Sequence, residues 1–271
     1  MEFFWPRSEG FDFRVPFHGL LYEGNTSVHL DWSVFFLGAY EAGILRLMAD
    51  LLSDSEQVPV VFDVGANCGH HSLFLARFAK VYAFEPDPDL AKQWIRRMND
   101  SGLTNARLFQ VGLGSRNESL PFSKASGENR GAGSFCGDAG TGITTKLPVI
   151  TGDSAFEETS EATLDLVKID VEGFELEVLT GLRETLASHR PFVVLEFSSD
   201  TKHRLTGRDL KHFLPRDYEV FRIESSRPIG VVFNRSRPLL SAPPLHGADF
   251  EVLAFPKEAR QRLVAQKLIP R

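Results

Sequence analysis

The stretch VVFDVGANCGHHS, residues 60–72, decides the fold. Its first five residues are apolar except for Asp63 and have the length of a buried strand. Gly65 and Gly69 indicate a tight turn, and the segment from His70 onward is typical of a helix. A strand that leads through a Gly-rich turn into a helix is the unit from which parallel α/β sheets are built. The stretch therefore predicts such a sheet, with a ligand site at the carboxyl end of this strand.

The same alternation of strands and helices continues along the chain. Helices are predicted at residues 87–102, where Asp87 caps the first turn and Pro88 begins the helix, and at residues 173–186 as a single crossover helix. The second helix places Glu175 near its polar face. Its apolar face, at helical spacing, consists of Phe174, Val178, Leu182 and Leu186. Strands are predicted at VPVVFDV, VYAFE, ARLFQV, LDLVKIDV and PFVVLEF.

Two parts of the chain fall outside this alternation. Residues 115–150 contain two short extended runs around a Gly-rich middle, which predicts an inserted hairpin. The tail segments YEVFRIE (218–224) and FEVLAF (250–255) predict two antiparallel strands at the edge of the sheet. The fold class is therefore α/β, a mostly parallel sheet with helices on both faces.

Composition limits the organisation and the partners. The 271 residues, 42% of them hydrophobic, allow one domain with a single large core. A formal charge of -6 without a basic stripe argues against a nucleic acid partner. The start of the chain has no export signal, and charged residues interrupt the most apolar window, 33–52, so we expect a cytoplasmic protein without a membrane span. Cys68 and Cys136 lack metal-ligand spacing and are expected to be free thiols.

Two common cofactor loops do not fit the turn after the first strand. A dinucleotide loop requires glycine at the positions of Gly65, Asn67 and His70, and two of the three differ. A P-loop requires a Gly-Lys pair that is absent here. Asp63 and Glu85 each end a strand, and Glu85 can accept hydrogen bonds from both hydroxyls of a ribose. This arrangement favours a nucleoside without a polyphosphate, such as S-adenosylmethionine.

In these motifs the sequence resembles the FkbM-type S-adenosylmethionine-dependent methyltransferases. The resemblance covers about residues 38–200 and rests on FDVGANCG (62–69), FEPDP (84–88), VGLG (111–114) and LVKIDVEGFE (166–175). It implies the class I methyltransferase fold, a seven-stranded sheet in the order 3-2-1-4-5-7-6 with strand 7 antiparallel. It also implies transfer of a methyl group from S-adenosylmethionine to a hydroxyl of a small polar acceptor, a sugar or a glycosylated or polyketide metabolite.

The motifs also imply the cofactor contacts. The residues expected on the methionine and ribose side are Asp63, Gly65, Asn67 and Gly69. Glu85 would bind the ribose, and Val111 with Gly112 would lie on the adenine side. Tyr40 and Glu41, in a segment that resembles a family element before the first strand, would close over the cofactor.

Methyl transfer to a neutral alcohol requires loss of a proton, so a base is expected at the carboxyl ends of the fourth and fifth strands. Asp170 is the first candidate, Glu172 the second, and His70 or His71 the third. Each of these candidates could instead have a purely structural role. An Asp or Glu after a strand can cap a helix or bind loop amides, and adjacent histidines are often surface residues.

The remaining polar candidates concern the acceptor. Lys168 is expected either to pair with Asp63 or Asp170 or to contact the acceptor, and Ser134 and Glu196 are candidates for acceptor contacts together with His71. Carboxylates are hard oxygen ligands. A divalent metal held by Asp170, Glu172 and Glu196 is therefore the less favoured alternative, and the sequence assigns no metal ligand.

The chain is predicted to have two parts. Residues 1–40 form an aromatic-rich segment that packs on the sheet, is buried in a homodimer or acts as a lid. Residues 41–271 form the methyltransferase domain. Acceptor specificity is expected from the hairpin of 115–150, the N-terminal segment and the loop of 224–249. Three alternatives stay open: an N-methyltransferase of a small metabolite, a non-catalytic S-adenosylmethionine-binding module, and a nicotinamide oxidoreductase, which the broken dinucleotide loop disfavours.

Overall fold

The computed structural model of the protein describes residues 10–124, 133–136, 144–197, 210–224, 239–241 and 250–270. The tip of the predicted hairpin and most of the 224–249 loop lie outside these ranges. The described strands are β1 (Asp12–Phe17), β2 (Leu20–Asn25), β3 (Val60–Val64), β4 (Lys80–Phe84), β5 (Ala106–Phe109), β6 (Gly112–Gly114), β7 (Glu118–Ser123), β8 (Thr144–Thr151), β9 (Leu166–Ile169), β10 (Phe192–Phe197), β11 (Tyr218–Glu224), β12 (Leu239–Ser241) and β13 (Phe250–Pro256). The helices are α1 (His29–Leu37), α2 (Ala42–Leu52), α3 (His70–Leu75), α4 (Pro88–Asp100), α5 (Gly152–Thr159), α6 (Glu175–Gly181), α7 (Arg183–His189) and α8 (Arg260–Ala265), with 3-10 turns at Leu210–His212 and Lys257–Ala259.

Eight of the described strands form the main sheet, in the order β12, β11, β13, β10, β9, β3, β4 and β5. The strands from β10 to β5 in this order run parallel. β13 runs antiparallel to β10 on one side and to β11 on the other. The sheet has one strand more than the resemblance implies, because Leu239–Ser241 pairs with β11 at the edge.

Helices cover both faces of this sheet, as the alternating pattern predicts. On one face, Val61, Val81 and Leu166 belong to a core that includes buried residues of α2, α3, α4 and α8. On the other face, Phe62 and Val167 belong to a second core that is filled by α5, α6 and α7. None of the helices in the described ranges has both the length and the hydropathy needed to cross a membrane.

The predicted helix after β4 is confirmed as α4. The side chain of Asp87 accepts a hydrogen bond from the Asp89 N–H at 2.7 Å, which caps the first turn, and Pro88 is the first helical residue. Trp94 and Met98 are buried against the core. Gly102 closes the helix with a φ of 67°, in the left-handed region that favours glycine.

The prediction of one continuous helix over residues 173–186 is wrong. The helix breaks at Leu182, which has φ -100° and ψ 8° and separates α6 from α7. The preceding residue, Gly181, packs so tightly on β6 that a Cβ there would lie 1.9 Å from the carbonyl oxygen of Gly114. Because Gly181 has no side chain, α6 can approach β6 this closely.

The apolar face of this segment is confirmed, but its polar face is not. The buried residues include Phe174, Val178, Leu182 and Leu186, as expected. Glu175 was expected toward the polar face and is fully buried. Its carboxylate accepts a hydrogen bond from the Gly173 N–H at 2.9 Å, which supplies the partner that a buried polar group requires.

The inserted hairpin is confirmed within the described residues. β7 and β8 pair antiparallel, with Leu120 opposite Leu147. β6 adds to β8 in the parallel direction, so a separate three-stranded sheet stands beside the end of β5. An additional bridge joins Ser123 to Ser134 and ties the described part of the connection, residues 133–136, back to β7.

The described part of the N-terminal segment, residues 10–40, forms the β1–β2 hairpin followed by α1. Phe17, Tyr22 and Val34 are buried in the same core as residues of α2, α3 and α4. The opposite side of α1 leaves Phe36 and Leu37 exposed by 41% and 51%. The segment is therefore packed on the helical layer of the domain.

Replacing Gly181 by alanine tests the contact between α6 and β6. The added methyl group would collide with the backbone of Gly114, and overpacking of this kind costs about 1–3 kcal/mol, more than alanine returns in helix propensity. We expect Gly181→Ala to lower the free energy of unfolding in urea denaturation.

Thr180→Ala is the matched control, because Thr180 is exposed on the same helix. Its effect should stay within about 0.5 kcal/mol. Equal stability of the Gly181→Ala protein and the unchanged protein would contradict the assigned packing.

Candidate functional site

A cavity of about 500 Å³ opens at the carboxyl ends of β3, β4, β9 and β10, which is the size of many small-molecule sites. The predicted cofactor residues that line it are Tyr40, Glu41, Gly65, Asn67, Glu85 and Gly112. The predicted catalytic and acceptor residues that line it are His70, His71, Lys168, Asp170, Glu172 and Glu196. Four further candidates lie beside the cavity but outside its lining: Asp63, Gly69, Val111 and Ser134. The structure thus gathers most of the sequence candidates around one space.

Glu85 joins the turns that follow β3 and β4. Its carboxylate accepts hydrogen bonds from the backbone N–H groups of Asn67 and Asp87, each at 2.8 Å. Asn67 has a left-handed φ of 51°, and its side-chain oxygen accepts from the N–H of Cys68. Burial raises the pKa of Glu85 to about 7, although the two N–H groups favour the ionised form. Each carboxylate oxygen keeps a lone pair for a ligand hydroxyl.

Asp63 lies beneath the cavity. It is fully buried, and its carboxylate accepts a hydrogen bond from Ser72 Oγ at 2.5 Å, which in turn accepts from Trp94 Nε1 at 2.8 Å. The parallel register places Asp63 opposite Lys168, whose Nζ lies 3.8 Å from the other carboxylate oxygen. The expected contact of Asp63 with a cofactor stays a prediction, since in this structure the carboxylate contacts protein groups below the cavity.

Packing explains the glycines of the turn. A Cβ on Gly65 would lie 1.8 Å from the carbonyl oxygen of Asp170, and its φ is 76°. At Gly69 a Cβ would lie 2.7 Å from the Trp94 ring, and the φ is 89°. Both positions need glycine for the backbone conformation and for close approach. Gly65 in this way brings the turn after β3 against the turn after β9.

One end of the cavity is apolar and involves the inserted hairpin. The Phe135 ring covers Gly112 so closely that a Cβ there would lie 2.6 Å from it. Phe135 also packs against Phe122 and Phe174, with ring centroids 4.9 Å and 5.4 Å apart. Val111 packs beside this cluster. Sequence reasoning missed Phe135, because a lone aromatic residue in a Gly-rich loop gives no sign of which surface it will cover.

Ser134 connects this hairpin to the turn after β9. Its hydroxyl donates a hydrogen bond to the carbonyl oxygen of Glu172 at 2.6 Å and accepts one from the N–H of Cys136 at 2.9 Å. Glu172 itself has a left-handed φ of 50°. The hydroxyl of Ser134 is therefore engaged by backbone groups, and its predicted contact with an acceptor stays a prediction.

The other end of the cavity is strongly acidic. Lys168 Nζ lies 3.0 Å from Asp170 Oδ2; the Lys168 side chain is buried, whereas that of Asp170 is 32% exposed toward the cavity. Burial lowers the pKa of Lys168, but Asp170 and Asp63 outweigh burial and hold the pKa above its ordinary value. Burial raises the pKa of Asp170, but Lys168 and a hydrogen bond from Glu196 outweigh it and hold the pKa below its ordinary value. Lys168 is therefore a cation and Asp170 an anion.

Two further carboxyl groups lie beside Asp170. Burial, followed by the charge of Asp170, raises the pKa of Glu196 far above its ordinary value, so Glu196 is protonated at neutral pH and donates to Asp170. Across the strand pair, Glu196 lies opposite Glu251, whose pKa burial raises to about 8. Sequence reasoning missed Glu251, because the tail strand in which it lies shows no site motif.

Asp170, Glu172 and Glu196 could together hold a metal ion. One carboxylate oxygen from each lies within 4.8 Å of the others. Such oxygens are ligands for Mg²⁺ or Ca²⁺. Lys168 already neutralises Asp170, and a proton occupies Glu196, so these two carboxyl groups have partners without an ion.

The two histidines have different roles in the packing. His70 Nε2 donates a hydrogen bond to the carbonyl oxygen of Tyr40 at 2.9 Å. Burial, and then the neighbouring His71, lower the pKa of His70 well below its ordinary value, so the ring is neutral. His71 Nε2 lies 3.2 Å from a carboxylate oxygen of Glu41. His70 therefore fixes the segment before α2, and His71 lies nearer to the acidic end.

The N-terminal hairpin supplies another wall of the cavity. Its lining includes Phe13, Gly24 and Asn25 from this segment. Arg97, on α4, lines the same side and is 9% exposed. The sequence analysis expected the N-terminal segment as a whole to contribute to acceptor specificity, but it named none of these residues and not Arg97, since nothing in the chain order places residues 13–25 next to α4.

Comparison with known proteins finds methyltransferases. The model of the family described as "Methyltransferase FkbM domain" matches residues 63–217. The hexuronic acid methyltransferase AglP of Haloferax volcanii is 32% identical over 156 residues, 58% of this chain and 62% of AglP. The 2-O-methyltransferase NoeI of Sinorhizobium fredii is 28% identical over 64% of this chain and 76% of NoeI. The crystal structure of methyltransferase FkbM from Methylobacillus flagellatus superimposes with a TM-score of 0.45 at 16% identity, over 73% of this chain and 44% of that one.

The family match covers more than half of the chain and contains the Gly-rich turn, Glu85 and the turn after β9. These are the elements that surround the cavity from the side of the main sheet. The chain belongs to the methyltransferase FkbM family.

Proposed function

We propose that the protein is an S-adenosylmethionine-dependent O-methyltransferase that acts on a hydroxyl of a saccharide or a sugar-bearing metabolite. The observation that carries the proposal is the position of Glu85 at the carboxyl end of β4, joined to the Gly-rich turn through the Asn67 N–H. Family membership and the names of two relatives, a hexuronic acid methyltransferase and a 2-O-methyltransferase, support a sugar acceptor and an oxygen nucleophile.

The sheet order supports a class I methyltransferase assignment. In this assignment β3, β4, β5, β9 and β10 correspond to strands 1 to 5, β11 to strand 6 and β13 to strand 7. The sheet then follows the order 3-2-1-4-5-7-6 with strand 7 antiparallel, and β12 extends its edge. In open sheets of this kind the ligand binds outside the carboxyl ends of the strands, where the cavity lies.

The cavity fits S-adenosylmethionine at three points. The Glu85 carboxylate would accept the ribose hydroxyls, and the apolar end at Gly112 and Phe135 would hold the adenine ring. At the opposite end, Asp170 and its neighbouring acids complement a positive charge. When bound, S-adenosylmethionine supplies a methyl group activated by a sulfonium for in-line displacement by an oxygen.

The residues of the chain mainly position the acceptor. Asp170, kept ionised by Lys168, would accept a hydrogen bond from the acceptor hydroxyl and orient its oxygen. As the new bond forms, the hydroxyl proton would pass to Asp170, with Glu172 and His71 as the next acceptors within the same cavity. The low pKa of Asp170 suits orientation better than strong base catalysis, because a carboxylate of low pKa binds a proton weakly.

The choice of acceptor would come from segments outside the main sheet. The described part of the inserted hairpin and the N-terminal hairpin both line the cavity. A cytoplasmic location, a homodimer through the aromatic N-terminus and the absence of nucleic acid partners stay predictions. An N-methyltransferase and a non-catalytic S-adenosylmethionine-binding module are the alternatives that acceptor assays would separate.

Cofactor affinity should rise with pH through the titration of Glu85. The carboxylate, which accepts two ribose hydrogen bonds better than the protonated group, predominates above pH about 7. We expect the dissociation constant of S-adenosylhomocysteine, measured by calorimetry, to fall between pH 6 and pH 8.

Glu85→Gln is the control for this titration. The amide cannot ionise, so this variant should bind at least about tenfold more weakly at pH 8, as loss of a hydrogen bond to a charged group predicts, with a flat profile over the same range. An equally steep profile in the variant would assign the titration to another group.

Asp170→Asn should separate binding from turnover. The amide keeps the shape but cannot take a proton, so we expect turnover with a saccharide acceptor to fall about 100-fold or more. The dissociation constant of S-adenosylhomocysteine should stay within about threefold, under 1 kcal/mol, because this product lacks the sulfonium charge that Asp170 complements. Glu172→Gln is the paired variant. A larger loss of turnover in Glu172→Gln than in Asp170→Asn would make Glu172, and not Asp170, the first acceptor of the proton.

Removal of divalent metal should leave turnover unchanged. Lys168 already neutralises Asp170 and a proton neutralises Glu196, so neither carboxyl group requires an ion. The measurement is methyl transfer after dialysis against EDTA. Loss of activity that Mg²⁺ restores would instead make Asp170, Glu172 and Glu196 metal ligands.

A further inference from the structure

A buried arginine connects the N-terminal hairpin to the Gly-rich turn. Arg97 Nη1 donates to the carbonyl oxygen of Cys68 at 2.8 Å and contacts Cys68 Sγ at 2.9 Å. Its Nη2 donates to the carbonyl oxygen of Glu23 at 3.0 Å and lies 3.5 Å from Asp31 Oδ1. One planar guanidinium thus bonds the turn after β3 and the N-terminal hairpin at the same time.

The surroundings hold this guanidinium in a single orientation. The Tyr22 ring lies beneath it, with its centroid 4.0 Å from the guanidinium carbon. The Tyr22 hydroxyl donates to Asp31 Oδ1 at 2.8 Å, and Asp31 Oδ2 accepts from the Asn25 N–H at 3.0 Å. The side chains of Arg97 and Asp31 are 9% and 11% exposed, so solvent cannot replace these contacts.

The turn that Arg97 contacts is the one that carries the ribose-binding group. Cys68 stands between two residues with left-handed backbone, Asn67 at φ 51° and Gly69 at φ 89°. Asn67 donates its N–H to Glu85, and its side-chain oxygen accepts from the N–H of Cys68. The peptide group after Cys68 is therefore fixed at its carbonyl by Arg97, and the peptide group before Asn67 is fixed by Glu85.

We propose that Arg97 is a positioning residue for the cofactor, and that through it the N-terminal hairpin is a working part of the cofactor site. The guanidinium holds the turn of residues 66–69 in the shape that presents Asn67 and Glu85 to the ribose. Glu23 and Asp31 lie outside the region that the family model matches, residues 63–217, so this connection adds to the family site a segment of the chain that precedes it. The inference rests on the proposed function.

The experiment compares the intact protein with two variants of Arg97. Arg97→Met removes the hydrogen bonds and keeps the length of the side chain. Arg97→Lys keeps a cation beside Asp31 but lacks the planar fork that reaches Cys68 and Glu23 together. Arg96→Met is the matched control, because Arg96 is the adjacent arginine, is 72% exposed and bonds Glu23 through its side chain without touching the turn.

Two quantities are measured for each protein, the dissociation constant of S-adenosylhomocysteine by calorimetry and amide hydrogen exchange of peptides that cover residues 66–69. We expect both Arg97 variants to bind at least about tenfold more weakly, as the loss of charged hydrogen bonds predicts. The turn should exchange faster in the ligand-free variants, and Arg96→Met should match the unchanged protein in both measurements. If Arg97→Met does not fold, the result for Arg97→Lys decides the inference, because this variant keeps a cation beside the buried Asp31.

Folded Arg97 variants with unchanged affinity and unchanged exchange would overturn the inference, and so would an equal loss in Arg96→Met. Failure of the unchanged protein to bind S-adenosylhomocysteine would overturn the proposed function instead. In that case, amide hydrogen exchange of residues 66–69 in the ligand-free proteins would still decide whether Arg97 orders this turn.

Discussion

The buried ammonium group of Lys168 is the constraint on which the site depends. A cation in the core must be paired, and the parallel register of β3 with β9 places Asp63 opposite it while Asp170 follows two residues later in the chain. The pairing keeps Asp170 ionised at the edge of the cavity. It also brings the ends of two central strands together, and the close approach of Gly65 to the Asp170 carbonyl completes this contact.

Around this centre, two hairpins complete a site that the main sheet leaves open. The inserted hairpin brings Phe135 over Gly112, and Ser134 ties it to the carbonyl oxygen of Glu172. The N-terminal hairpin reaches the other side through Arg97. The turn after β9 therefore links the two ends of the cavity. It carries Asp170 at the acidic end, and its Glu172 carbonyl binds the inserted hairpin, which forms the apolar end.

Much of the local structure could be predicted from residue types alone. The cap at Asp87 and the spacing of Trp94 and Met98 define α4, because these signals act within a few residues. The break at Leu182 and the burial of Glu175 could not be predicted in this way. Both depend on how this helix packs on β6, where Gly181 meets the backbone of Gly114, although the hydrogen-bond partner of Glu175, the Gly173 N–H, lies only two residues away in the chain.

The sequence by itself determined the α/β alternation, the acids at the strand ends and the family, since Gly-rich turns and strand-end carboxylates are encoded in contiguous motifs. Only the tertiary structure decided that Asp63 lies below the cavity, that Glu196 and Glu251 share the acidic end, and that Phe135 and Arg97 line the site. The physical reason is that burial, pairing of charges and covering of a surface depend on groups far apart in the chain. Such groups act on one another only after the strands have aligned and the hairpins have packed.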